Sequence, residues 1–130
     1  MYCLDTDFLV GLLRKDESAT AFAKKLGESG EGVSVTPIAV AELFTGAYLS
    51  EHPENVELVQ DLIANLDLLA FDATAAQVAG QTIAALQKQG QPIGDFDTLI
   101  AAVAMRHNKT LVTRNVKHFQ RVPNLKVVEW

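Results

Sequence analysis

Four acidic residues stand where apolar neighbours make a charge costly. Asp5 closes the apolar run Tyr2-Cys3-Leu4. Glu42 interrupts Ile38-Ala39-Val40-Ala41-Glu42-Leu43-Phe44, and Asp95 and Asp97 open the run Thr98 to Met105. An ionised carboxylate beside buried surface is expensive unless something pairs with it. No Lys or Arg lies within a helical turn of Asp5, Glu42 or Asp97. A shared divalent cation would balance several of these charges at once, so the pattern points to a metal-dependent active site. Oxygen donors without zinc-type His or Cys spacing favour Mg²⁺ or Mn²⁺ over Zn²⁺.

Each acid also has a structural explanation. Asp5 can cap the helix that follows it, as can its neighbours Thr6 and Asp7. Asp95 and Asp97 sit at a helix start, where negative charge gains about 0.3–1 kcal/mol from the helix dipole. Glu42 fits this explanation least well, because it lies past the first turn of its helix, too deep to cap. The three histidines, His52, His107 and His118, offer no ligand spacing. Asn115 reads as a cap or turn residue, and Trp130 as a packing residue.

The elements that must position these groups alternate. Residues 1–5, Val33–Thr36, Leu68–Phe71, Thr110–Thr113 and Leu125–Val128 read as short strands. Helical patterns fill the intervals: Phe8 to Arg14, Ser18 (as cap) to about Glu28, Pro37 to about Leu49, a stretch from Pro53, and one from Asp72 or Thr74 to Gly90. A further helix runs from about Asp95 to His107, and a helical turn covers Val116 to Phe119. Thr36-Pro37 is a helix start, a capping hydroxyl followed by proline at the first helical position. Strands alternating with helices predict an α/β fold, a central parallel sheet of about five short strands covered on both faces, in one domain spanning 1–130. Ligands in such sheets bind beyond the carboxyl ends of the strands. Asp5, Thr113 and Asn115 fall there, so acids distant in sequence are expected to converge.

Composition bounds the class. The 130 residues are 48% hydrophobic and 21% charged, which describes a globular chain. No apolar run is long enough to span a bilayer and no leader pattern opens the chain, so a cytoplasmic protein is expected. A single cysteine, Cys3, forbids an internal disulfide. Net charge is −5, yet residues 98 to 128 hold six basic residues and no acid. That asymmetry is either an anion-binding face or a solvated surface.

Together these motifs resemble the PIN domain, and more narrowly the VapC-type toxin nucleases of toxin–antitoxin pairs. Tyr2-Cys3-Leu4-Asp5-Thr6-Asp7 is similar to the family's apolar strand followed by Asp-Thr-Asn. Thr36-Pro37 through Ala41-Glu42-Leu43 resembles its second motif. Gly94-Asp95-Phe96-Asp97-Thr98-Leu99-Ile100-Ala101-Ala102 resembles its third, in which the acid stands just before Leu-Ile-Ala-Ala and so selects Asp97 over Asp95. Leu111-Val112-Thr113-Arg114-Asn115 completes the pattern. Two departures stand out: Asp7 where the family usually has Asn, and Asn115 where many members have a fourth acid.

The resemblance implies a three-layer α/β/α PIN-like fold and hydrolysis of RNA phosphodiester bonds. Asp5 and Asp97 would hold Mg²⁺ or Mn²⁺, and Glu42 would act with them. Asn115, Asp95, Thr6 and Asp7 would be auxiliary, with Arg114 and Lys117 holding flanking phosphates. It also implies a small antitoxin partner and a homodimer. Rival readings are a HAD-like phosphatase with Asp5 as nucleophile, a PIN-like module that binds RNA or protein without cutting, and a DNA nuclease.

Overall fold

Three consecutive buried or half-buried residues, Tyr2–Leu4, form β1 at the centre of a sheet whose strands are all parallel. The computed structural model describes residues 1–130. The chain runs β1 (Tyr2–Leu4), α1 (Thr6–Leu13), α2 (Glu17–Ser29), β2 (Val33–Val35), α3 (Pro37–Leu49) and α4 (Pro53–Ile63). It continues through β3 (Asp67–Leu68), α5 (Ala73–Lys88), α6 (Asp95–Arg106), β4 (Thr110–Val112), α7 (Val116–Phe119) and β5 (Val127–Val128). The sheet order is β3-β2-β1-β4-β5. This is the α/β/α arrangement expected from the alternation of patterns.

The order places a switch point beside β1. The chain builds outward from β1 through β2 to β3, then returns to lay β4 on the other side of β1. At such a point the connections after neighbouring strands diverge and leave a crevice at the carboxyl edge. Register fixes what lines it. Leu4 pairs with Val112, so Asp5 and Thr113 are the next residues on adjacent strands. The Asp5 N–H still donates to the Val112 carbonyl at 3.0 Å, which holds the two strand ends together.

Local chemistry explains the helices that carry the other groups. Thr36 caps α3 as expected, its Oγ1 accepting from the Ala39 N–H at 3.0 Å, with Pro37 at the first position. Glu42 follows at the second turn. α6 is buried along most of its length: Ile100, Ala101, Ala102, Val103 and Ala104 are all fully covered. Its alanines let it lie close against α5. The main core joins Phe8, Leu9, Ile100, Leu111, Val112 and Phe119.

Several boundaries differ from the sequence reading. α1 starts at Thr6, not Phe8, because Asp5 serves as its N-cap. Asp16 rather than Ser18 caps α2, its Oδ1 accepting from Ala19 N–H at 3.0 Å. β3 is Asp67–Leu68, starting one residue and ending three residues before the expected Leu68–Phe71, and β5 is only Val127–Val128. Phe71 instead stands exposed. Gly94, with φ +94°, takes the N-cap position of α6, so Asp95 lies inside the first turn.

Candidate active site

Asp5 is the centre of the crevice. Its carboxylate is 5% exposed, and both oxygens are held: Oδ1 accepts from the Thr6 N–H at 2.8 Å and Oδ2 from the Thr113 hydroxyl at 2.8 Å. Burial, and then the negative charge of Asp7, push its pKa up to about 7, with a smaller contribution from Asp97. The two hydrogen bonds oppose that rise without cancelling it. Asp5 therefore carries an unbalanced charge, and no Lys or Arg side chain pairs with it.

The other acids reach this centre by different routes. Asp97, half-buried on the first turn of α6, meets His118 Nε2 from α7 at 2.8 Å. Burial raises its pKa, and the His118 contact partly offsets this. The same His118 nitrogen lies 2.6 Å from the Ile93 carbonyl, so one ring edge ties α7 to the loop before α6. Glu42 connects through a side chain: the Thr6 hydroxyl donates to its Oε1 at 2.7 Å, and the neighbouring Thr6 N–H holds Asp5. Asp7 accepts from the Arg114 backbone N–H at 2.9 Å and from Trp130 Nε1–H at 3.2 Å.

Positions 5, 7, 42 and 97 thus form one connected or mutually charged region. Asp95 stands apart. It is exposed and faces a cavity of about 50 Å³ shared with Ile83, Leu86 and Gln87 of α5. Asn115 is exposed at the start of α7, and it is its backbone N–H, donating to Thr113 Oγ1 at 3.0 Å, that joins the network. No three His, Cys, Asp or Glu side chains already stand close enough to enclose an ion. The oxygen donors suit a hard divalent cation, but they are not closed around one.

The basic segment does not form one face. Arg114 lies over the Trp130 ring at 3.7 Å and 3.7 Å from Asp16, beside a cleft of about 550 Å³ that Thr6, Asp7 and Arg14 also line. Lys117 is exposed on α7, on the same side of the sheet. Arg106 instead pairs with Asp72, and Lys109 lies near the Met1 amine at the opposite sheet end. Cys3 is fully buried, and its thiol is pushed up to about 12, which makes it a packing residue.

Thr113 stands where the sequence put it, at the carboxyl end of the strand beside Asp5. Two participants were missed from sequence, His118 and Trp130, because their partners lie on elements that only the fold brings near.

Comparisons with known proteins agree with this arrangement. The PIN domain family model matches residues 2–125. The tRNA(fMet)-specific endonuclease VapC of Shigella flexneri is 30% identical over 130 residues, covering 99% of this chain and 97% of the relative. Ribonuclease VapC2 of Haemophilus influenzae is 34% identical over 132 residues, covering 99% and 97%. Among solved structures, VapBC2 of Rickettsia felis, bound to a DNA fragment from their promoter, superposes with a TM-score of 0.88 at 29% identity, over 99% of this chain and 98% of that one. DNA-bound VapBC of Salmonella typhimurium superposes with a TM-score of 0.89 at 30% identity, over 99% and 97%. With its acids gathered at the carboxyl edge of β1 and these matches along nearly its whole length, the chain belongs to the PIN domain family, in its VapC branch.

Proposed function

We propose that this protein is a Mg²⁺- or Mn²⁺-dependent endoribonuclease, the toxin of a VapBC-type pair. The observation that carries the reading is Asp5, a buried carboxylate under the influence of Asp7 and Asp97 with no cationic side chain paired to it. Asp5 and Asp97 would hold the ion, and Glu42, steadied by Thr6, would act beside them. A divalent ion there supplies the charge that an RNA phosphate needs opposite it and makes a bound water more acidic. The chain's own part is to orient these carboxylates and to leave Asp5 without a cationic side chain of its own. Thr6 N–H and the Thr113 hydroxyl fix the plane of Asp5, and His118 fixes Asp97. Arg114 and Lys117 would hold flanking phosphates, contacts that position a strand without choosing its sequence. Asn115 is free at its side chain to orient water, whereas Asp95 is exposed beside a separate small cavity against α5.

The phosphatase reading loses ground on geometry. Both Asp5 oxygens already accept hydrogen bonds, from the Thr6 N–H and the Thr113 hydroxyl.

A partner would find two apolar surfaces. One is a groove between α1, α3 and α4 lined by Val10, Leu13, Leu43 and Leu58, with Glu42 also in its wall. A protein segment seated there would reach the acids, which suits an inhibitory antitoxin. The other gathers Ile38, Phe71, Phe96 and Leu99, and it suits a second copy of the chain. No helix is long and apolar enough to cross a membrane.

The test is expression with and without the cognate small antitoxin, with mapping of RNA ends. Growth arrest with a discrete set of cut sites, relieved by the partner, is expected. Intact RNA in arrested or unarrested cells would reject the assignment.

A further inference from the structure

Asp7 faces three donor groups. Trp130 Nε1–H reaches Oδ1 at 3.2 Å, the Arg114 backbone N–H reaches Oδ2 at 2.9 Å, and the Thr113 hydroxyl reaches the same Oδ2 at 3.2 Å. That hydroxyl has one proton, and its shorter contact, 2.8 Å, is to Asp5. Asp7 therefore stands against the group that orients Asp5.

Trp130 is seated with care for so peripheral a residue. Its ring lies under the Arg114 guanidinium at 3.7 Å and edge-on to Phe8 at 5.3 Å. On α1, Gly11 makes room for it. A Cβ at position 11 would come within 2.9 Å of Trp130 Cη2 and 3.0 Å of the Ala19 Cβ. Glycine inside a helix costs roughly 1 kcal/mol relative to alanine, and the ring accounts for its presence here. Trp130 is thus held by close contact with Gly11, by Phe8 edge-on, by the Arg114 guanidinium over its ring, and by its own N–H to Asp7.

We propose that Trp130 is a positioning residue for the acidic site: through its bond to Asp7 it holds Asp7 and the Thr113 hydroxyl in place against Asp5. The same geometry explains why a carboxylate serves at position 7. An asparagine has one acceptor oxygen. In either orientation its amide NH₂ would face a donor, the Trp130 N–H or the Arg114 N–H, and one arm of the brace would open.

The activity arm of the test rests on the ribonuclease reading, and the optical arm does not. Trp130 is the sole tryptophan, so its emission reports this site alone. Trp130→Phe keeps an aromatic ring, a smaller one, and removes the N–H. It is expected to unfold cooperatively near the wild-type midpoint while kcat on RNA falls about tenfold and KM stays within about twofold. Asp7→Asn is expected to shift Trp130 emission to longer wavelength and to raise acrylamide quenching about twofold as that part of the structure loosens. Gly11→Ala should move the emission in the same direction. A wild-type kcat in folded Trp130→Phe would overturn the proposal, as would unmoved emission in Asp7→Asn. Should Trp130→Phe not fold, the Asp7→Asn emission decides. Should wild-type protein cut no RNA, the ribonuclease reading fails while the emission still judges the brace.

Discussion

Asp5 and Asp72 begin alike and end opposed. Each is the N-cap of a helix, α1 and α5, and each accepts a backbone N–H, at 2.8 Å and 2.9 Å. Asp72 then gains the Arg106 guanidinium at 3.2 Å, and the Ala75 N–H and Arg106 together hold its carboxyl below the usual range. Asp5 gains burial and two neighbouring acids, and its pKa climbs to about 7. Capping therefore does not distinguish a structural acid from a functional one. The countercharge does: the fold supplies one for Asp72 and withholds it from Asp5, leaving that place for something outside the chain.

The largest expected effect separates the two positions by activity. Asp5→Asn, and equally Asp97→Asn, should lower RNA cleavage by on the order of 10³-fold with the fold intact, since each removes a charge the reaction needs. Asp72→Ala should cut RNA at the wild-type rate while unfolding at a lower temperature. Full activity in Asp5→Asn, or lost activity in well-folded Asp72→Ala, would erase the contrast.

Stability against pH sharpens it. Asp5 is protonated more readily in the folded chain than in the unfolded one, so folding is favoured at low pH. That advantage is lost as pH rises from the ordinary carboxylate range near 4 through about 7. With chelator present, unfolding free energy should fall by on the order of 3 kcal/mol between pH 5 and pH 8 relative to Asp5→Asn, at about 1.4 kcal/mol per pKa unit. Asp72 has the opposite sign, and its lowered pKa matters only below about pH 4, so Asp72→Ala should leave this slope unchanged. A wild-type slope equal to that of Asp5→Asn would refute the buried-charge description.

Much of the contrast was legible in the sequence, and the part that was not has a physical reason. Asp5, Thr36-Pro37 and the run after Asp97 signal locally, through apolar neighbours and cap chemistry. The convergence of Asp5 with Asp97 followed from the rule that ligands gather at strand carboxyl ends. Thr113, already placed by its strand end, acts on Asp5 across 108 residues; Trp130 acts on Asp7 across 123, where no local pattern can report. The basic run misled in the opposite way. Arg106 and Lys109 precede β4, and Arg114 and Lys117 follow it, so one three-residue parallel strand delivers neighbours in sequence to opposite edges of the sheet.

A smaller effect concerns that run. Lys117→Ala should weaken RNA binding severalfold at most and flatten its salt dependence by about one ion, as loss of one phosphate contact does. Lys109→Ala, at the other edge, should leave binding unchanged. Equal losses would mean that RNA lies across the whole sheet end and not at the acids alone.

The most direct measurement is calorimetric titration of Mn²⁺ into wild-type protein and Asp5→Asn at pH 7, repeated in buffers of different ionisation heat. Wild-type protein should bind the ion with release of a fraction of a proton, because Asp5 is partly protonated there and must ionise to take a cation. Asp5→Asn should lose both the binding and the proton. Equal Mn²⁺ binding by the two proteins, or binding without proton release by wild type, would contradict the assignment of Asp5 as the carboxylate whose missing countercharge is a metal ion.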